Sequence, residues 1–127
     1  MSVLLWGRSN ESLADNIRES LRGAHRHNDL MVEDSLAVLR RRLLANRLDI
    51  EAVVLSPGSA EDLEALVELR ALLWGLRLIL LLPDNGAESS ALAHKLTPRF
   101  AAPANSDPGD LAEVLVNLLY HDTAGKR

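Results

Sequence analysis

Few groups in this chain have both the reactivity and the position to do chemistry. The first is the hydroxyl of Ser56, in "EAVVLSPGS" from Glu51 to Ser59. The apolar run before it reads as a buried strand, and the chain then turns sharply through Pro57 and Gly58. In parallel α/β sheets, ligands and reacting groups gather just past the carboxyl ends of strands. A nucleophilic serine would need a base within reach, and no histidine falls at a strand end that the sequence identifies. Ser-Pro-Gly is also not the G-x-S-x-G elbow of serine hydrolases. The plainer reading is a strand-to-helix turn, with Ser56 for local hydrogen bonds and Gly58 for an unusual backbone angle. The second group is Arg8, just past the first apolar run "SVLLWG". There it would sit beside helix N-termini, whose free N–H groups favour anions. Arg8 and Ser56 could hold a small anion, on an edge that also carries Asp84, Asn85 and Ser106. Alternatively, Arg8 is a surface cation paired with an acid such as Asp84.

The remaining polar clusters carry less. "HRHND" holds His25, His27 and Asp29. Alternation could put both imidazoles on one side of an extended segment, but a metal site needs more ligands and a supporting shell. A solvated loop is the simpler reading, and His94 and His121 stand alone on helices. With no cysteine in the chain, disulfides and thiolate metal sites are excluded. Glu61, Asp62, Glu64 and Glu68 have the spacing of an ordinary solvent-facing helix side. Dinucleotide and P-loop fingerprints are absent, so the sequence implies no cofactor and no metal. "RRR" at Arg40–Arg42, with Arg47 nearby, is the best basic run. Such a run is the solvated side of a helix unless it joins a larger patch. Trp6 and Trp74 read as core or interface anchors, since no basic groove surrounds them.

These groups need a scaffold, and its elements are legible. The chain has 127 residues, 47% hydrophobic but only 3% aromatic, with a formal net charge of −4. That is one domain with a core of Leu, Val, Ile and Ala. Neither a signal peptide nor a membrane span is evident, which suits a cytoplasmic protein without a nucleic-acid surface. Strands are expected over Ser2–Gly7, Asp29–Val32, "EAVVLS", "LRLILLL" and, more briefly, "RFAAPANS". Helices alternate with them. Leu13, Ile17 and Leu21 mark the first, with Ser9 or Asn10 as cap and Gly23 as stop. Leu36, Leu39, Leu43 and Leu44 mark the second. The third is one long helix from Ser59, which with Asp62 resembles a capping box, to Gly75, burying Leu63, Leu66, Val67, Leu73 and Trp74. Leu92 and Leu96 mark the fourth. Asp107 caps the last helix, and Pro108 opens it. Strands that are apolar throughout suit a sheet covered on both faces. The expected fold is a doubly wound, flavodoxin-like (βα)5 sandwich with a five-stranded parallel sheet, order 2-1-3-4-5, over residues 1–122, with a polar tail at 123–127.

Laid out this way, the chain resembles the receiver domains of bacterial response regulators over nearly its full length. The resemblance rests on the first strand, on "AVVLS" and "RLILLL", and on "DPGDLAEVLVNLL", which is close to the DP-acidic-acidic-L opening of the last receiver helix. It implies a site at the strand ends, and there this sequence departs from the family. Gly7 and Arg8 stand where an acidic pair would hold Mg²⁺. Ser56 stands at the phosphoacceptor aspartate, Leu82 at the switch Thr or Ser, and Ala102 before Pro103 where Lys-Pro is expected. Phosphoryl transfer to a carboxylate needs that carboxylate and a divalent cation. The resemblance therefore implies a pseudo-receiver, acting through contacts with unidentified signalling proteins rather than as an enzyme. In receivers the fourth helix, fifth strand and last helix carry dimer and output contacts. That would put Leu92, Leu96, Phe100, Ala101, Leu115, Leu118, Leu119 and Tyr120 on a partner or homodimer face. The competing reading is a small-ligand binder, or an enzyme, at the edge around Arg8 and Ser56.

Overall fold

In the computed structural model, residues 1–7 and 11–125 are described. Five parallel strands form one sheet: β1 (Ser2–Gly7), β2 (Asp29–Glu33), β3 (Ile50–Ser56), β4 (Arg77–Leu82) and β5 (Phe100–Pro103), in the order β2-β1-β3-β4-β5. This is the flavodoxin-like order expected from five βα units. β1 and β3 are buried almost along their whole lengths, as a strand between neighbours and under helices on both faces must be. β2 lies at an edge and is only partly buried.

The helices divide between the two faces. α1 (Glu11–Gly23) and α6 (Pro108–Gly125) pack against one, where Val3, Leu5, Ala52, Val54, Ile79 and Leu81 point. The other is covered by α2 (Leu36–Asn46), α3 (Ala60–Val67), α4 (Arg70–Leu73) and α5 (Ala87–Leu96), over Leu4, Trp6, Val53, Leu55, Leu78 and Leu80. The alternation of side chains along each strand divides the core in two. Each leucine fully buried in these layers contributes about 1.5–3 kcal/mol relative to exposure.

Local chemistry sets the boundaries. Ser59 Oγ accepts from the Asp62 N–H at 3.2 Å, and Asp62 Oδ2 accepts from the Gly58 N–H at 3.2 Å, which opens α3. Asp107 Oδ2 accepts from the Asp110 N–H at 3.0 Å, with Pro108 as the first helical residue of α6. The expected caps Ser9 and Asn10 lie outside the described residues.

Three expectations need correcting. The long third helix breaks between Val67 and Arg70 into α3 and α4. The break shifts the helical phase, so Trp74 is 72% exposed instead of buried. Leu44, expected in the stripe of α2, is likewise exposed, while Leu39 and Leu43 are fully buried. Gly58 has no left-handed backbone angle; among the described residues Gly7 and Gly75 are the glycines that do. The last helix, α6, runs from Pro108 to Gly125.

Candidate functional site

β1 and β3 end side by side, with Gly7 paired to Ser56. Ser56 is buried, 9% exposed, and so is Pro57. Gly7 has φ +142°, a conformation that side chains rarely adopt. A Cβ placed on it would lie 2.3 Å from the Ser56 carbonyl oxygen and 2.8 Å from Ser56 Cβ. The backbone of β1 therefore comes so close to β3 that no side chain fits at position 7. A carboxylate at this position would require the strand end to move.

The other strand ends add no polar group beside Ser56. Leu82 packs against the α2–α5 side of the sheet. Ser56 follows Ala52 and Val54 in the strand alternation and so faces the α1–α6 side. Ala102 is on that same side and pairs in register with Leu81, while Pro103 pairs with Leu82. The strand ends thus set Gly7 against Ser56, but they do not bring Leu82 and Ala102 together.

The residues of the competing edge are occupied locally. Asp84 Oδ1 accepts from the Gly86 N–H at 2.8 Å, within the turn that precedes α5. Ser106 Oγ donates to the Pro103 carbonyl at 2.7 Å, closing the β5–α6 turn. Asn85 is exposed. Arg8, on which an anion site would depend, lies outside the described residues. A cleft of about 760 Å³ opens next to Gly7, between α1 and the end of β2, and Ser56 does not line it. Two of its carboxylates already have cations: Asp15 has Arg18 at 3.4 Å, and Glu33 has Arg42 at 2.7 Å. Among the described residues no group of three or more His, Asp or Glu could hold a metal ion.

The partner face loses four of its expected members. Leu92, Leu96, Leu115 and Leu119 are core residues, at most 8% exposed, because they are the inward stripes of α5 and α6. Phe100 and Leu118 are half-buried, while Ala101 and Tyr120 are exposed.

Sequence reasoning missed a polar network at the opposite end of the sheet. Arg26 Nη2 donates to Glu51 Oε2 at 2.7 Å, Asn28 Nδ2 donates to Glu51 Oε1 at 2.7 Å, and Arg26 Nε donates to Asn28 Oδ1 at 2.9 Å. The Glu51 side chain is only 9% exposed. His25 and His27, which alternate with these residues, are exposed. The basic run dissolves in the same way. Arg42 is held by Glu33, Arg40 and Arg41 face solvent, and Arg47 donates to the carbonyls of Leu72 and Trp74.

Comparison with solved structures places this arrangement. The non-phosphorylated receiver domain of the stress response regulator RcsB from Escherichia coli superposes with a TM-score of 0.69, covering 95% of this chain and 94% of that one. The chain has the receiver fold. A putative pilus assembly-related protein from Burkholderia pseudomallei is also similar, with a TM-score of 0.62 over 94% of this chain and 90% of that one. Sequence identity is 18% in both cases, so the likeness is one of fold. No family model and no curated protein matches the sequence. Among the described residues, no helix is long and apolar enough to cross a membrane.

Proposed function

We propose that this chain is a pseudo-receiver: a cytoplasmic, non-enzymatic signalling or scaffold domain that keeps the receiver fold, does not accept a phosphoryl group in the usual way, and works through contacts with other proteins. The observation that carries this reading is the contact between Gly7 and Ser56. A receiver's chemistry needs a carboxylate nucleophile and a Mg²⁺ ion held by carboxylate oxygens. Among the described residues no base is placed to activate the Ser56 hydroxyl, and position 7 has no room for a ligand side chain. Leu82 and Ala102 bring neither a hydroxyl nor an ammonium to the strand ends. Phe100, Ala101, Leu118 and Tyr120 are what remains of a homodimer face on β5 and α6. No nucleic acid or membrane partner is part of this reading.

The test is an amide NMR titration of labelled protein with Mg²⁺ and beryllofluoride, the mimic of an aspartyl phosphate. No shifts at Gly7, Ser56 and the neighbours of Pro83 are expected, at concentrations that saturate an ordinary receiver run in parallel. Saturable shifts clustered there would overturn the reading and put a ligand-binding site in its place.

A further inference from the structure

At the end of the molecule away from Ser56, α4 and α5 finish side by side and leave a groove of about 490 Å³. Leu96 and Ala71 line it, Trp74 stands in it, and Arg70 and Lys95 flank it. Trp74 is 72% exposed, and Arg70 and Lys95 are exposed as well. Neither cation has an ion-pair or hydrogen-bond partner among the described residues. They are not needed to finish the helices either. The last carbonyls beside α4, those of Leu72 and Trp74, already accept from Arg47, and the Thr97 N–H donates to the His94 carbonyl at the end of α5.

We infer that this groove docks an acidic peptide segment of a partner protein, with an apolar side chain of the segment resting on Trp74 and its carboxylates on Arg70 and Lys95. The inference rests on the reading that the domain works through protein contacts, and it supplies the surface and the partner's chemistry. Charge complementarity selects the occupant, because the chain carries a net charge of −4 while this groove presents two unpaired cations. A nucleic acid would need a track of cations along several phosphates, and the groove has only these two. Tryptophan, with tyrosine and arginine, is enriched among the residues that carry interface binding energy. The Trp74 backbone is also held in place, because its carbonyl accepts from Arg47. A fixed backbone lowers the ordering cost of docking.

The probe is a synthetic peptide with glutamates on both sides of a central Leu-Phe pair, titrated against intact protein while tryptophan emission is followed. Trp6 is buried, so a change in exposure reports on Trp74. The expected result is a saturable blue shift that weakens with salt and is absent in Trp74→Phe. Binding should fall about tenfold for the peptide with glutamine in place of glutamate, and by a similar factor for the Arg70→Glu/Lys95→Glu variant with unchanged circular dichroism. Equal binding of the glutamine peptide, full binding by the charge-reversed variant, or no shift at all would overturn the proposal. So would tighter binding of a single-stranded oligonucleotide, or self-association through Trp74 detected by light scattering without peptide. The peptide titration does not depend on the strand-end site, so its failure leaves the beryllofluoride result standing, and the reverse also holds.

Discussion

Replacing Gly7 with alanine tests the geometry on which the functional reading stands. At φ +142° a non-glycine residue costs about 1–3 kcal/mol in backbone strain. The new Cβ would also meet the Ser56 carbonyl at 2.3 Å, and that atom belongs to a paired strand and cannot swing away like a side-chain tip. Forcing the two strand ends apart adds the cost of overpacking, about 1–3 kcal/mol. The sum is about 2–6 kcal/mol, a large part of the roughly 5–15 kcal/mol that holds such a domain together. With a urea slope of about 1.5 kcal/mol per molar, the unfolding midpoint should fall by about 1.3–4 M. Gly58→Ala is the control, since Gly58 is exposed and has no left-handed angle. It should stay within about 0.5 kcal/mol of the parent. If Gly7→Ala lost less than about 1 kcal/mol, the end of β1 would be free to move. The close approach would then not explain why position 7 carries no side chain, and the argument for a closed site would fail.

Two further substitutions test the polar interior. Glu51→Gln keeps the shape of the side chain but turns an NH₂ toward one of the two donors, Arg26 or Asn28, that Glu51 now accepts from. Asn28 cannot flip to compensate without losing its bond from Arg26 Nε, so a loss of about 1–3 kcal/mol in urea unfolding is expected, and an unchanged midpoint would show the network to be idle. Ser89 is 1% exposed, with no partner for its hydroxyl among the described residues. Ser89→Ala should therefore leave the midpoint unchanged or raise it. A loss above about 1 kcal/mol would reveal a hydrogen bond to a bound water.

Most of the fold was legible because a buried parallel strand writes itself plainly. β1, β3 and β4 are runs of Val, Leu and Ile cut off by Gly, Pro or Ser, and both capping serine and capping aspartate, Ser59 and Asp107, did what their spacing implied. What could not be read was set by tertiary contacts. No glycine or proline marks the break between α3 and α4, so a helical period carried through it puts Trp74 inside when it is outside. In "HRHND" the two-residue alternation was real, but the residues that matter are on the other side of it. The histidines point to solvent, and Arg26 and Asn28 turn inward to Glu51. That pairing spans about two dozen residues in sequence, and no local pattern announces it. The same limit applies to the glycines. Position 58 sits in the turn where a left-handed residue would be expected, yet the constraint is at Gly7, because only the pairing of β1 with β3 brings Ser56 against it.

The two ends of the sheet therefore have opposite characters, and this bears on how such a domain would work. At the strand ends where a receiver does its chemistry, backbone packs against backbone at Gly7 and Ser56, and the polar residues of the neighbouring loops, Asp84 and Ser106, are spent on their own turns. At the far end, side chains that hold structure free others from doing so. Arg47 takes the carbonyls of Leu72 and Trp74 and leaves Arg70 exposed, and the break that creates α4 turns Trp74 outward beside Lys95. If the first end were the working one, Gly7→Ala should disturb function through the site and Arg70→Glu should not. If the domain works through its surface, a Gly7 variant that still folds should keep its partner, and the charge reversal at Arg70 and Lys95 should lose it with the fold intact. Binding and unfolding measured on the same pair of variants separate the two.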